Sequence, residues 1–141
     1  MRLRKLSYLT LWAVRFDEIK RLYKEVLGLQ VSRENENFIL FETEGIKLAF
    51  HRVNDAPPLE RPTAELHLEV RDVDEIYAAL EAKGIRFKEK PANHPGEERR
   101  RSASFQDPEG YTVELVGPLK PGELAKGERS SERGPKLPAF S

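Results

Sequence analysis

The 141-residue sequence contains no cysteine. That excludes a disulfide framework, a thiolate metal site and a cysteine nucleophile together. It carries no net charge either, with 24 Lys and Arg against 24 Asp and Glu. Duplex nucleic acid and anionic membrane surfaces draw on a charge excess that this balance does not offer, so neither is expected as a partner. No apolar run approaches the roughly 20 residues of a membrane span. The basic opening, Met1-Arg2-Leu3-Arg4-Lys5, is followed by no apolar stretch of signal-peptide type. A cytoplasmic protein is the expectation. There is also no glycine-rich phosphate loop and no G-x-S-x-G elbow.

What is abundant is charge of both signs. Charged residues make up 34% and apolar ones 38%, against a usual charged share of about 25%. A densely charged surface produces this, and so does a polar tail diluting an ordinary core. The length suits one domain of common size, with a core that needs no staple.

Along the chain the hydrophobic period alternates between strand and helix. Residues 6–14 are rich in β-formers and predict a strand. Phe16, Ile19, Leu22, Tyr23, Val26 and Leu27 then follow helical spacing, with Asp17 and Glu18 in the first turn and Gly28 at the end. Short strands are predicted at 30–33, 38–42 and 46–53, with Glu44-Gly45 turning the chain. Residues 54–63, rich in proline, read as a linker. The second half repeats the order. A strand at 64–70 precedes Asp72, a helix cap with Glu75 three residues on. The helical stripe Val73, Ile76, Tyr77 and Leu80 ends at Gly84. Strands are predicted near 85–88, 102–106 and 111–116, the last two joined by a tight Asp107-Pro108-Glu109-Gly110 turn.

The halves match as β-α-β-β-β. Gly28 matches Gly84 at an offset of 56, and Gly45 matches Gly110 at 65. The difference, 65 − 56 = 9, places about nine extra residues in 91–101. Such a repeat decides the fold. The expected class is α+β, with two tandem β-α-β-β-β modules (6–53 and 64–117) forming a curved sheet around a cavity. Residues 1–117 form the domain and 118–141 a Pro/Gly-rich charged tail.

Four segments carry a family resemblance. They are Leu9-Thr10-Leu11-Trp12, the stretch from Leu22 through Gly28 to Leu29, the stretch from Leu68 through Asp72 to Asp74, and the stretch from Phe105 through Asp107-Pro108-Glu109-Gly110 to Leu115. In this order and spacing the chain resembles the vicinal oxygen chelate superfamily, which includes glyoxalases, bleomycin-resistance proteins and extradiol dioxygenases. The resemblance covers about residues 6 to 117 and implies the fold above. It does not give the reaction, because the family is functionally diverse. It also implies a homodimer and a divalent metal held from four strands, at the positions occupied here by Tyr8, Ala49, Glu65 and Glu114. Only Glu65 and Glu114 suit a cation, and two carboxylates fall short of the usual three protein ligands. The implied metal site is therefore degraded, and no cofactor and no metal ligand is assigned.

Strand alternation extends the list of inward-facing candidates. With Tyr8 come Thr10 and Trp12; with Ala49 come Lys47 and His51; with Glu65 comes His67; with Glu114 come Thr112 and Val116. The candidate ligand-binding residues are Tyr8, Thr10, Trp12, His51, Glu65, His67 and Glu114, an aromatic wall with titratable groups. Bland alternatives stand beside them: core packing for Trp12, a surface position for His51, an exposed sheet face for His67, and a structural pairing of Glu65 and Glu114 with each other or with Lys47. An offset metal set of His51, His67 and Glu114 is the chemical rival. His94 reads as a solvated loop residue. In the Glu97-Glu98-Arg99-Arg100-Arg101 run, Arg99 and Arg101 would share one strand face and Arg100 the other.

The leading expectation is metal-independent binding of a small aromatic or amphipathic molecule between the modules. The alternatives are a metal-dependent lyase, isomerase or dioxygenase with an altered ligand set, and a structural module with a filled cavity. No catalytic residue is assigned. The tail is expected to dock on the domain or across a dimer.

Overall fold

The computed structural model describes residues 1–54, 63–94 and 99–123. They form two compact units, each with its own four-stranded mixed sheet. The architecture is α+β in two modules, and neither sheet closes into a barrel.

The first unit runs β1 (Tyr8–Ala13), α1 (Phe16–Lys20), β2 (Gln30–Glu34), β3 (Phe38–Glu42) and β4 (Lys47–Arg52). The sheet order is β1-β4-β3-β2, with β1 parallel to β4 and the other pairs antiparallel. Alternation divides this sheet cleanly. Ile39, Phe41 and Phe50 are fully buried, and so are Phe16, Ile19 and Tyr23 of the helical segment. The Tyr23 ring lies 4.8 Å from Phe50 and 6.1 Å from Phe41, which fixes this as the helix-covered face. Tyr8, Thr10, Trp12, Phe38, Leu40, Lys47, Ala49 and His51 therefore share the opposite face.

The helical period predicted over 16–27 is only half α-helical. Beyond Lys20 the chain widens into a π-helical segment, Arg21–Val26, where the Leu27 N–H donates to the Leu22 carbonyl at 2.8 Å. Such wide turns are rare. This one carries Tyr23, whose hydroxyl donates to Asp107 Oδ2 at 2.8 Å. Asp107 opens the turn joining the last two strands. The Gly110 N–H closes that turn on the Asp107 carbonyl at 2.9 Å, with Gly110 at φ 93°, a left-handed conformation that suits glycine. The 107–110 turn belongs to the first unit, where Glu109 also accepts from the Arg15 N–H. Tyr23→Phe removes one buried hydrogen bond and is expected to cost about 1–2 kcal/mol. A lower urea midpoint at unchanged slope is the measurement, and an unshifted midpoint contradicts it.

The second unit contains β5 (Glu65–Glu69), α2 (Val73–Ala82), β6 (Glu89–His94), β7 (Arg100–Gln106) and β8 (Thr112–Gly117). Its order is β5-β8-β7-β6, the same topology as the first. The Asp72 side chain caps α2 by accepting from the Glu75 N–H at 3.1 Å, as the sequence predicts. Tyr77 of α2 packs on Phe87 at 4.6 Å, and Phe87 on Phe105 at 5.2 Å. At Gly117 a Cβ would sit 2.8 Å from the Val70 carbonyl oxygen, so the close approach of β8 to the start of α2 requires glycine.

One strand departs from the sequence reading. A strand was expected at 85–88, but β6 spans Glu89–His94 and contains Pro91. Phe87 is drawn into the aromatic cluster as irregular backbone. Pro91 is tolerated because β6 is an edge strand and bulges between Glu89 and Ala92. This overturns the solvated-loop reading of His94, which pairs with Arg100 and is buried. Arg99 adopts φ 45° just before β7, so it does not share a strand face with Arg101.

Residues 118–123 dock on β6 and β7. Lys120 N–H donates to Asn93 Oδ1 at 3.0 Å, and Asn93 Nδ2 donates to the Lys120 and Glu123 carbonyls. Buried Arg101 grips Asp74 with two bonds of 2.7 and 2.9 Å and Glu123 with a third of 2.8 Å. The rest of the expected tail, 124–141, and most of the expected linker, 55–62, lie outside the described residues.

Candidate metal centre

The open face of the second sheet, opposite α2, is built by register. His67 stands across from Glu114 on the parallel β5–β8 ladder, and Glu65 lies across from Thr112 on the same face. The strand period of two thus places Glu65, His67 and Glu114 together. One ligand atom from each lies within 4.8 Å of the others, the one such group of three among the described residues. Glu65 and His67 are about one-third exposed, with His67 Nε2 3.1 Å from Glu65 Oε1. Glu114 is 1% exposed. Its Oε2 faces Arg100 Nη2 at 3.5 Å, while its Oε1 is buried with no hydrogen-bond partner among the described residues.

That orphaned oxygen tests whether a cation fits. A buried carboxyl oxygen without a donor is costly. A carboxyl oxygen of this same residue lies within 4.8 Å of a second carboxylate and an imidazole. Two carboxylates and one imidazole form a hard-to-borderline donor set suited to ions such as Mn²⁺, Fe²⁺ or Zn²⁺. The full four-strand set implied by the resemblance does not fit, because Ala49 has no donor and is fully buried, and Tyr8 stands across from Lys47. The His51 ring lies against Trp12 at 5.4 Å and Phe38 at 6.3 Å, and its Nδ1 is 2.9 Å from the Arg52 carbonyl. Lys47 pairs with Glu42 at 3.4 Å.

The first unit holds the other four candidates on the open face of its sheet. Trp12, His51 and Phe38 form an aromatic row across β1, β4 and β3. Trp12 is 57% exposed, which sets aside plain core packing. Thr10 is half-buried opposite Ala49, and Tyr8 is exposed beside Lys47. The sequence reading let one side of the 99–101 arginine run reach an anionic ligand, with a solvated face as the alternative, and did not single out Arg100. Its parity with Ser102 and Ser104 puts it on the Glu114 face, and that signal was legible in the arginine run once the strand was taken to begin there.

The family model for the Glyoxalase/Bleomycin resistance protein/Dioxygenase superfamily matches residues 5–115. No curated protein matches the chain. Among solved structures, a glyoxalase/bleomycin resistance protein/dioxygenase from Nocardioides superimposes with a TM-score of 0.71 at 24% identity, covering 89% of this chain and 91% of that one. A glyoxalase family protein from Enterococcus faecalis gives 0.67 at 23% identity, over 82% and 99% of the two chains. A lactoylglutathione lyase from Agrobacterium tumefaciens gives 0.64 at 19% identity, over 87% and 100%. At these identities the likeness is one of fold.

Proposed function

This chain belongs to the Glyoxalase/Bleomycin resistance protein/Dioxygenase superfamily, and from that premise we propose that it binds a divalent cation through Glu65, His67 and Glu114 and holds a small oxygen-bearing molecule beside it. The observation that carries the reading is the buried Glu114 carboxyl, which has one oxygen unpartnered among the described residues and places an oxygen within 4.8 Å of ligand atoms of Glu65 and His67. A bound ion would act as a Lewis acid toward an oxygen of that molecule. The chain's own contribution is positional. Glu65 orients the His67 ring, and β8 presents Glu114 from a buried backbone. Arg100 places a guanidinium beside the same carboxyl, where it can hold an anionic group.

Calorimetric titration with Mn²⁺ and with Zn²⁺, using protein purified without a chelating tag, tests this. One ion per chain is expected. His67→Ala and Glu114→Gln should each weaken it at least tenfold, on the order of what lost metal-site contacts cost. No binding, or binding kept in the double variant, overturns the reading.

The exposed Trp12–His51–Phe38 row favours a second reading: metal-independent binding of a small aromatic molecule. Trp12 is the single tryptophan, so its fluorescence reports on this face directly. Quenching by aromatic compounds without added metal would support it, and unchanged emission across such compounds would remove it.

A further inference from the structure

The open face of the first sheet carries a second feature, a cleft of about 530 Å³ where the residues preceding β1 meet the ends of β2, β3 and β4. Its lining holds three cationic side chains, Lys5, Arg33 and Lys47, and no carboxylate. In a chain with equal numbers of acids and bases, a cleft lined by one sign alone is a departure. Arg33 spends its guanidinium on the Phe38 ring, 5.1 Å from its centroid. Neither Lys5 nor Arg33 has a carboxylate partner among the described residues. Lys47 meets Glu42 at 3.4 Å, a half-exposed pair that holds it loosely. Three like charges around one concavity repel each other and concentrate anions there. Ser7 and Tyr8 add hydroxyl donors, and Leu40, 8% exposed, supplies an apolar floor.

We propose that this cleft is a binding site for a small amphipathic oxyanion, an aromatic carboxylate or phosphate, with its head group on Lys5, Arg33 and Lys47 and its ring over Leu40 and Tyr8. The site lies wholly in the first unit and depends on none of Glu65, His67 and Glu114. Direct ion pairs with guanidinium and ammonium groups, reinforced by hydroxyl donors, give it a preference for charge. The apolar floor gives it a preference for a ring over a bare ion.

The test uses the full chain, titrated calorimetrically at low ionic strength with benzoate, phenyl phosphate, benzyl alcohol, benzylamine and inorganic phosphate. The two aromatic anions should bind at least tenfold more tightly than benzyl alcohol and than inorganic phosphate, and benzylamine should not bind. Arg33→Gln and Lys47→Gln should each raise the dissociation constant about tenfold, whereas Lys90→Gln on β6 should leave it unchanged. Amide shifts at Ser7, Tyr8 and Leu40 on titration give a second readout that does not depend on the variants. Equal binding of benzyl alcohol, equal binding of inorganic phosphate, or affinity retained in the Arg33→Gln/Lys47→Gln double variant each overturns the proposal. Metal binding by the same variants should be unaltered, so failure here and failure of the cation site are separable.

Discussion

Arg101→Ala is expected to lower the thermal midpoint by roughly 10 °C. The Arg101 side chain is 5% exposed, and its guanidinium makes two bonds to Asp74, one to Asn93 and one to Glu123. Removing one member of a buried ion pair typically costs about 3–5 kcal/mol, because the partners lose their counter-charge. Asp74 and Glu123 keep about 40% and 37% of their side chains in water, which cuts the penalty toward the low end, about 3 kcal/mol. For a chain of this size, each kcal/mol moves the midpoint by about 3–4 °C. Arg101→Lys keeps the charge but loses the planar fork, and should fall between the two. The same network has a pH signature. Hydrogen bonding to Arg101 is the first cause that holds the Asp74 carboxyl below its ordinary value, opposed by burial. A depressed folded value means that the stabilisation is complete above the unfolded value, about pH 4, and is lost as pH falls through the folded one. Wild type should therefore lose stability on acidification more steeply than Arg101→Ala. Equal acid slopes, or a midpoint shift under 2 °C, would contradict this account.

Glu114→Met should do the opposite in the absence of metal, raising stability by about 1–2 kcal/mol. The side chain is fully buried, and one of its oxygens has no donor among the described residues, so a chain of similar volume and no polar atoms removes a desolvation cost. Arg100, about one-quarter exposed, keeps access to water after the change. Added Mn²⁺ should then leave the variant's urea midpoint unchanged while raising that of wild type, since only a native state that binds the ion gains from it. A destabilised Glu114→Met would mean that the carboxyl is there to hold the sheet together, and the cation reading would lose its basis.

Much of this fold was legible because the chain states one module pattern twice. The apolar runs around Phe41 and Phe50, the alternation around Val113 and the turn at Asp107-Pro108-Glu109-Gly110 mark strands and a hairpin from local chemistry alone. The failure at β6 is equally physical. Ile85 and Phe87 alternate like a strand, yet Phe87 satisfies its apolar ring through Tyr77 and Phe105 without a ladder, and Pro91 is admitted because no neighbour needs its missing N–H. The π-helical widening at Arg21–Val26 has no composition signal, and the Tyr23 it carries bonds a residue 84 positions away, a contact that local sequence does not announce. At the site, alternation alone grouped Glu65 with His67. Bringing Glu114 to them required the β5–β8 register.

Two of the four strands that end the sheets, β2 and β6, bear on how the protein behaves at high concentration. Each ends its sheet, and each is broken by a bulge, between Val31 and Arg33 in one and between Glu89 and Ala92 in the other. A flat, unbroken edge offers a template on which another chain can add a strand and begin to aggregate. Here the ladder is interrupted in both places, and β6 adds a proline that withholds a donor. These two margins resist runaway strand addition even though the chain carries no net charge to keep its copies apart.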